Sequence, residues 1–294
     1  MDGFININKE IDWTSHDVCA ALRGILRQKK IGHAGTLDPA ARGVLPVCLG
    51  KATRLAEYLT QCQKRYRGEI TFGVETDSYD ATGRVTGQKA AGHLKKEEVI
   101  AALASFIGEI KQTPPMVSAL KFQGRPLYEL ARQGVELERP ARRVTIYAID
   151  AIDYTEVENP RLTVEIACSK GTYIRSLAHD LGRMLGTGAY LSALCRLAVG
   201  PFSLEKAYTV AKVKELALRQ EREFLLPMNE GVAHLPSLMV NDSQRKKVLC
   251  GVPLPVPLHE DAGPLAVQDE KGFLLGMGRI ENFVLFLDKV LVTE

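Results

Sequence analysis

The sequence predicts an α+β fold, with a large mixed-sheet domain over residues 1–232 and a small β-rich module over 233–294. Three observations predict it. Two-residue alternation and helical periodicity are both present along the first 230 residues, but they do not alternate as regular βαβ units. After Pro236 the texture changes: Gly251-Val252-Pro253-Leu254-Pro255-Val256-Pro257 is proline-rich, and short β-like segments follow it. Finally, 294 residues suffice for one large domain, or for a large one with a small companion.

The elements follow in order. Phe4, Ile5 and Ile7 mark a short strand. Thr14 or Ser15 can cap a helix that has Asp17 in its first turn and Val18, Leu22, Ile25 and Leu26 at helical spacing. A glycine-rich loop separates it from a short helix marked by Leu55, Ala56 and Leu59. Tyr66, Gly68, Ile70 and Phe72 alternate with Arg67, Glu69 and Thr71, the pattern of a strand with one buried face. A polar loop, Asp77-Ser78-Tyr79-Asp80-Ala81-Thr82-Gly83, comes next, and an amphipathic helix is expected over residues 95–108. Thr113-Pro114-Pro115-Met116 interrupts the chain, and a helix over Pro126 to Gln133 ends at Gly134. Strands are expected at Val144-Ile146-Ala148 and, by clean alternation, at Leu162-Val164-Ile166-Cys168. Lys170-Gly171-Thr172-Tyr173-Ile174-Arg175 opens a helix running through Leu181 and Leu185. A strand near 190–199 carries Leu194, Arg196 and Leu197, and helical periodicity returns around Val210 to Leu218. In the last module, strands are expected at 265–268, 273–279 and 283–292.

Composition narrows the function classes. The chain is 46% hydrophobic and 25% charged, which is ordinary for a water-exposed globular protein, and no apolar run is long enough to span a bilayer. The N-terminus lacks the basic and apolar regions of a secretory leader, so the expected compartment is the cytoplasm. No Cys-x-x-Cys pair occurs among the six cysteines and the six histidines are scattered, so no metal site is expected, and most of the cysteines read as small buried hydrophobes. The net charge of +3 divides unevenly, about +5 over residues 1–236 and −2 over 237–294. Basic groups lie at Arg23-Arg27-Lys29-Lys30, Arg139-Arg142-Arg143 and Arg245-Lys246-Lys247. Such runs are commonly solvated helix faces, and they also suit a polyanionic substrate.

The segment with the most chemistry in it is Gly32-His33-Ala34-Gly35-Thr36-Leu37-Asp38-Pro39, continuing to Arg42-Gly43-Val44-Leu45-Pro46-Val47. Pro39 biases Asp38 away from helical angles, and the glycines permit turns that other residues resist. Read alone, an Asp-Pro step beside glycine is ordinary turn chemistry. No G-x-S-x-G, phosphate-binding loop or dinucleotide fingerprint occurs, so neither a hydrolase elbow nor a nucleotide cofactor is indicated. Asp38 with Asp80 could supply the carboxylate pair of a glycosidase, but the chain has a single Trp to build a sugar platform.

The same loop resembles the signature of the bacterial tRNA pseudouridine-55 synthases, the TruB family. Lys64-Arg65-Tyr66, the Asp77 to Gly83 loop, Pro114-Pro115-Met116-Val117-Ser118-Ala119-Leu120-Lys121 and Lys170 to Arg175 resemble the family's other blocks, in the same order. The resemblance covers residue 3 to about 230, and the last module resembles the family's PUA-like RNA-binding tail. It implies a pseudouridine synthase-like catalytic domain that isomerises one uridine in the TΨC loop of tRNA. The N-glycosidic bond breaks, the uracil turns in the pocket, and C5 is joined to C1′. No cofactor is implied, nor any obligatory protein partner; a monomer acting on the T-arm is expected.

By this resemblance Asp38 is the nucleophile, a reasonable role for a carboxylate in glycosidic chemistry. The target base must leave its stack to be reached. Tyr66 resembles the tyrosine that stacks on the flipped base, although its place in an alternating strand also suits a core residue. Arg175 resembles the arginine paired with the catalytic aspartate. Tyr173 and Leu197 resemble walls of the base pocket, with Leu197 equally suited to the core. Asp80 is expected to orient the pocket through hydrogen bonds. His33 resembles a histidine that stacks into the opened RNA loop. Lys64 and Lys121 are expected to meet phosphates, which fix register rather than sequence, or else to be ordinary solvated lysines.

Two departures stand out. Glu10 and Asp12 occupy positions where the family has Pro and Gly in a Lys-Pro-x-Gly turn, which predicts an altered turn after Lys9. Arg42 stands where threonine is common. An RNA-binding or RNA-folding module without activity is the competing reading, and a guide-dependent synthase within a ribonucleoprotein is a third.

Overall fold

The computed structural model describes residues 1–118, 120–135, 137–256 and 260–292, apart from the side chains of Lys121, Pro126 and Arg132. Its larger sheet contains β1 (Gly3–Lys9), β2 (Arg42–Leu49), β3 (Lys64–Phe72), β4 (Gly108–Gln112), β5 (Arg142–Thr155), β6 (Arg161–Cys168) and β7 (Ala189–Val199). They lie in the order β1-β2-β7-β3-β6-β5-β4. All these neighbours are antiparallel except β2 and β7, which run parallel with Cys195 opposite Arg42 and Arg196 opposite Gly43. That single parallel step makes the sheet mixed, and the chemistry-bearing loop lies immediately before it.

Helices cover the sheet where the sequence alternation turns apolar. Helix α1 (Ser15–Leu26) starts at Thr14, whose side chain accepts from the Asp17 amide while the Asp17 carboxylate accepts from the Thr14 amide. This reciprocal cap contributes about 1 kcal/mol. The helix buries Val18, Cys19 and Leu22 against Ile5, Ile7, Leu45 and Val47, with Val213 and Leu216 of α4 (Val210–Leu218) in the same cluster. Two further helices, α2 (Lys96–Ala104) and α3 (Ile174–Met184), cover the other half of the sheet. Val99, Leu103, Leu177 and Leu181 pack there against Ile70, Phe72, Val164 and Ile166.

The structure corrects several expectations. The helix expected over 95–108 ends at Ala104, and Gly108, at φ 103°, turns the chain into the edge strand β4 that the sequence pattern did not reveal. Strand β5 extends well beyond Val144 to Ala148; register irregularities between Ile146 and Ala148 and between Ala151 and Asp153 break the two-residue alternation in its outer half. Five of the six cysteines are buried, and burial pushes the Cys19 and Cys168 thiols up to about 11, while Cys250 is exposed.

The last module is a five-stranded sheet of β8 (Ser237–Val240), β9 (Leu254–Pro255), β10 (Ala262–Asp269), β11 (Leu274–Glu281) and β12 (Val284–Val290), in the order β8-β10-β11-β12-β9. It also contains a helix that apolar periodicity missed, α5 (Asp242–Leu249), in which only Val248 is buried. Its signal was polar: Asn241 and Gln244 form a reciprocal cap. The basic run Arg245-Lys246-Lys247 lies on α5, and Arg245 reaches Asp269 at 3.8 Å. The module is not detached. Ala266, Leu274, Met277 and Leu291 join Phe4, Val44 and Phe202 in one buried cluster.

Candidate active site

A cavity of about 360 Å³ opens where the loop preceding β2, the first residues of β3, the N-terminus of α3 and the middle of β7 converge. Asp38, Tyr66, Tyr173, Arg175, Leu194 and Arg196 are among its walls. This is the size of an ordinary small-ligand pocket.

The strand register explains why these side chains meet. Tyr66 of β3 lies opposite Ile166 on one side and opposite Arg196 on the other. Arg196 lies in turn opposite Gly43 of β2. Gly43 has φ 109°, and a Cβ there would stand 2.3 Å from the Arg196 carbonyl oxygen, so no other residue fits this crossing. Leu194 and Arg196 share the cavity face of β7. Leu197, expected as a wall, falls at the register irregularity between Arg196 and Ala198 and is not among the lining residues, whereas Leu194 is.

Arg175 occupies the centre. Its side chain is 4% exposed, and it pairs with Asp38 at 3.0 Å through one terminal nitrogen and with Asp80 at 3.2 Å through the other. The same two nitrogens donate to the carbonyls of Val117 and Ser78. The second Asp80 oxygen accepts from the Ser78 hydroxyl and from both the amide and the hydroxyl of Thr82. Asp80 is therefore held on both oxygens, whereas Asp38, 42% exposed, keeps a face open to the cavity. A planar guanidinium can serve two carboxylates at once in this way; a point-charge ammonium cannot.

The loop around Asp38 is fixed through its carbonyls. Gly35 and Thr36 accept from the terminal nitrogens of Arg196, whose Nε donates to Val44. Leu37 accepts from the Ser15 hydroxyl and also donates its amide to it. Asp38 accepts from the Ala41 amide, and Pro39 accepts from the Asp12 amide and Lys9 Nζ. Arg196 is 2% exposed, and Lys9 is fully buried. Burial lowers the Lys9 ammonium to about 8, partly offset by the negative charge of Asp38. Neither bracing cation was singled out from sequence. Arg196 had a usable signal, a lone charge in the apolar run Ala193-Leu194-Cys195-Arg196-Leu197-Ala198-Val199.

The departure after Lys9 also has a geometric reading. Asp12 adopts φ 67°, the left-handed region that glycine enters most easily. The turn keeps a glycine-type backbone with aspartate in it, and its amide still reaches Pro39. Asp12→Gly should therefore be neutral or stabilising. Asp12→Ala, which keeps the Cβ but loses the polar group, should be less stable than the glycine variant by about 1 kcal/mol in urea unfolding.

The remaining expected residues are spread differently. Tyr66 and Tyr173 line the cavity, and burial raises both phenols above their usual range. The Gln112 side chain holds the backbone of Tyr173 by donating to its carbonyl and accepting from its amide. Lys64 lines the cavity but is no surface lysine. It is 7% exposed, donates to the carbonyls of Thr60 and Cys62, and is lowered by burial to about 8. His33 ends the short strand Ile31–His33, outside the cavity lining. Its Nδ1 is buried without a hydrogen-bond partner among the described residues, and burial together with the Arg196 charge lowers its pKa. The side chain of Lys121 lies outside the described residues. Among the described residues, no cluster of His, Cys, Asp and Glu has the arrangement of a metal site.

Comparison with known proteins places this arrangement in context. Residues 23–174 match the model of the TruB family pseudouridylate synthase N-terminal domain, and residues 175–233 match the tRNA pseudouridylate synthase B C-terminal domain. A Streptococcus pyogenes protein called tRNA pseudouridine synthase B is 44% identical over 264 residues, spanning 88% of this chain and 90% of its own. A Symbiobacterium thermophilum protein of the same name is 49% identical over 252 residues, spanning 86% of this chain and 83% of its own. Among solved structures, an H/ACA ribonucleoprotein bound to a substrate RNA containing 2′-deoxyuridine aligns with TM-score 0.77 and 26% identity over 99% of this chain and 85% of that one. An archaeal box H/ACA complex aligns with TM-score 0.76 and 25% identity, over 99% and 86%.

Proposed function

Because the chain belongs to the TruB family of pseudouridylate synthases, we propose that it isomerises uridine to pseudouridine at position 55 in the TΨC loop of tRNA. The observation that carries this reading is a partly exposed Asp38 carboxylate held by a buried Arg175 in a cavity walled by two tyrosines. A carboxylate so placed can act as a nucleophile on a flipped nucleotide. The reaction breaks the N1–C1′ bond, forms C5–C1′, takes a proton from C5 and leaves one on N1, so atoms and electrons balance without a redox partner.

The remaining roles follow from position. Tyr66 stacks on the uracil and stands where the C5 proton is released. Tyr173 and Leu194 complete the walls of the pocket, and Asp80 fixes Arg175. His33, on the strand leading into the loop, stacks within the opened T-loop. Residues 1–232 form the catalytic domain. The module over 233–294 acts as a PUA-like RNA contact through α5, where Lys246 and Lys247 stand in the last turn. The enzyme works as a cytoplasmic monomer on the tRNA T-arm without a protein partner or cofactor.

The test is direct. Purified protein alone is incubated with an unmodified tRNA transcript, and pseudouridine is mapped. Product at the T-loop uridine is expected. Tight binding without product would favour an RNA-folding module, and product only with an added guide RNA would favour a ribonucleoprotein enzyme.

A further inference from the structure

The Asp80 turn is gripped at two points, and the pocket chemistry accounts for one of them. Helix α3 presents Arg175 and, one turn later, His179. The turn presents Asp80 and, one residue earlier, Tyr79. Arg175 pairs with Asp80, while the rings of His179 and Tyr79 stack with centroids 4.0 Å apart and an interplanar angle of 14°. Tyr79 is a bulky residue at φ 64°, a left-handed backbone that a tyrosine enters only under constraint. Its carbonyl accepts from the Leu191 amide of β7, and its own amide donates to Thr76. The His179 Nδ1 is buried without a hydrogen-bond partner among the described residues, so stacking is the interaction that holds this ring.

We propose that the Tyr79–His179 stack is a positioning clamp for the isomerisation, holding the strained turn so that Asp80 stays aligned on Arg175 and Arg175 on Asp38. The proposal rests on the reading of the protein as a uridine isomerase. Two neighbouring side chains on one helix grip two neighbouring residues of one turn, so the turn can neither slide along α3 nor rotate about the Arg175 pair. Burial lowers the His179 pKa, against the pull of Glu75 and with the push of Arg183 on its own helix, which favours a neutral ring that stacks without a charge to desolvate. The side chains of Tyr79 and His179 are not among the cavity walls, so their effect passes through Asp80 and Arg175.

Three variants test the clamp: His179→Ala removes the stack, His179→Phe keeps a flat ring without a titrating group, and Tyr79→Gly removes the stack while relaxing the backbone. Single-turnover pseudouridine formation and tRNA affinity are measured for each, together with amide exchange at Thr82 and Gly83, which donate to Asp80. His179→Ala and Tyr79→Gly should each slow the chemical step by roughly tenfold or more, as expected for misplacement of a reacting group. Their tRNA affinity should stay within about twofold of wild type, the signature of a lost transition-state interaction. His179→Phe should recover most of the rate, and exchange at Thr82 and Gly83 should quicken in His179→Ala and Tyr79→Gly but not in His179→Phe. A wild-type rate in Tyr79→Gly or His179→Ala overturns the clamp, as does a His179→Phe enzyme as slow as His179→Ala. Should wild type itself form no pseudouridine, the isomerase reading falls, and amide exchange alone still decides whether the stack holds the turn.

Discussion

Replacing Asp38 with Ala or Asn should abolish pseudouridine formation while leaving tRNA affinity within roughly tenfold, about 1.4 kcal/mol. The asymmetry follows from the geometry. Among the described residues, Asp38 makes one ion pair, at 3.0 Å to Arg175, and no other side chain supplies a carboxylate to the cavity lining. Asp80 cannot substitute, because both of its oxygens are already engaged by Arg175, Ser78 and Thr82. Affinity rests elsewhere, on phosphate contacts and base stacking spread over a larger surface. Because Asp38 is 42% exposed, its removal also leaves little buried charge uncompensated, and the variants should unfold near the wild-type urea midpoint. Single-turnover assays with binding measured in parallel check this. Appreciable turnover in either variant would remove Asp38 from the nucleophile's role.

Arg175→Ala should damage both activity and stability. The guanidinium is 4% exposed and satisfies two carboxylates and two carbonyls, so deleting it leaves Asp80 and two backbone oxygens without their donor inside the protein. Removing one partner of a buried pair costs about 3–5 kcal/mol. Most of that falls on the Asp80 side, since the Asp38 contact is partly solvent-screened. Arg175→Lys separates the two effects. It restores a charge and should recover part of the stability, but one ammonium cannot span Asp38 and Asp80, so activity should remain low. Urea unfolding with single-turnover kinetics on both variants reads the difference. A lysine variant with wild-type turnover would show that charge alone suffices.

The legibility of the fold divides along physical lines. Strands β3 and β6 and helices α1 and α3 were readable because each buries one face, so their apolar residues repeat with the period of the element. Strand β4 and helix α5 were not: β4 is an edge strand of mixed polarity, and α5 buries only Val248. The pocket divides in the same way. Asp38, Tyr66, Asp80, Tyr173 and Arg175 lie in short polar motifs that resemble known blocks. Arg196 and Lys9 act through side-chain nitrogens on distant carbonyls, a relation with no local sequence pattern. Resemblance alone points to Leu197 as a wall; which residues of β7 face the cavity depends on the strand register, and Leu194 lines it while Leu197 does not. Lys64 looked like a surface cation because charge predicts exposure, until the carbonyls of Thr60 and Cys62 close over it.

The five consecutive carbonyls from Gly35 to Pro39 have one more consequence. Their donors come from the end of β1 and the turn after it, from the start of α1, from the loop itself and from β7, up to 161 residues away along the chain. No fragment ending before Arg196 can complete this loop, so during synthesis Asp38 acquires its final geometry only after two-thirds of the protein has emerged. Contacts closed over so long a stretch of chain are slow to form. A nascent or partly unfolded chain therefore lacks the shaped loop that carries the Asp38 carboxylate.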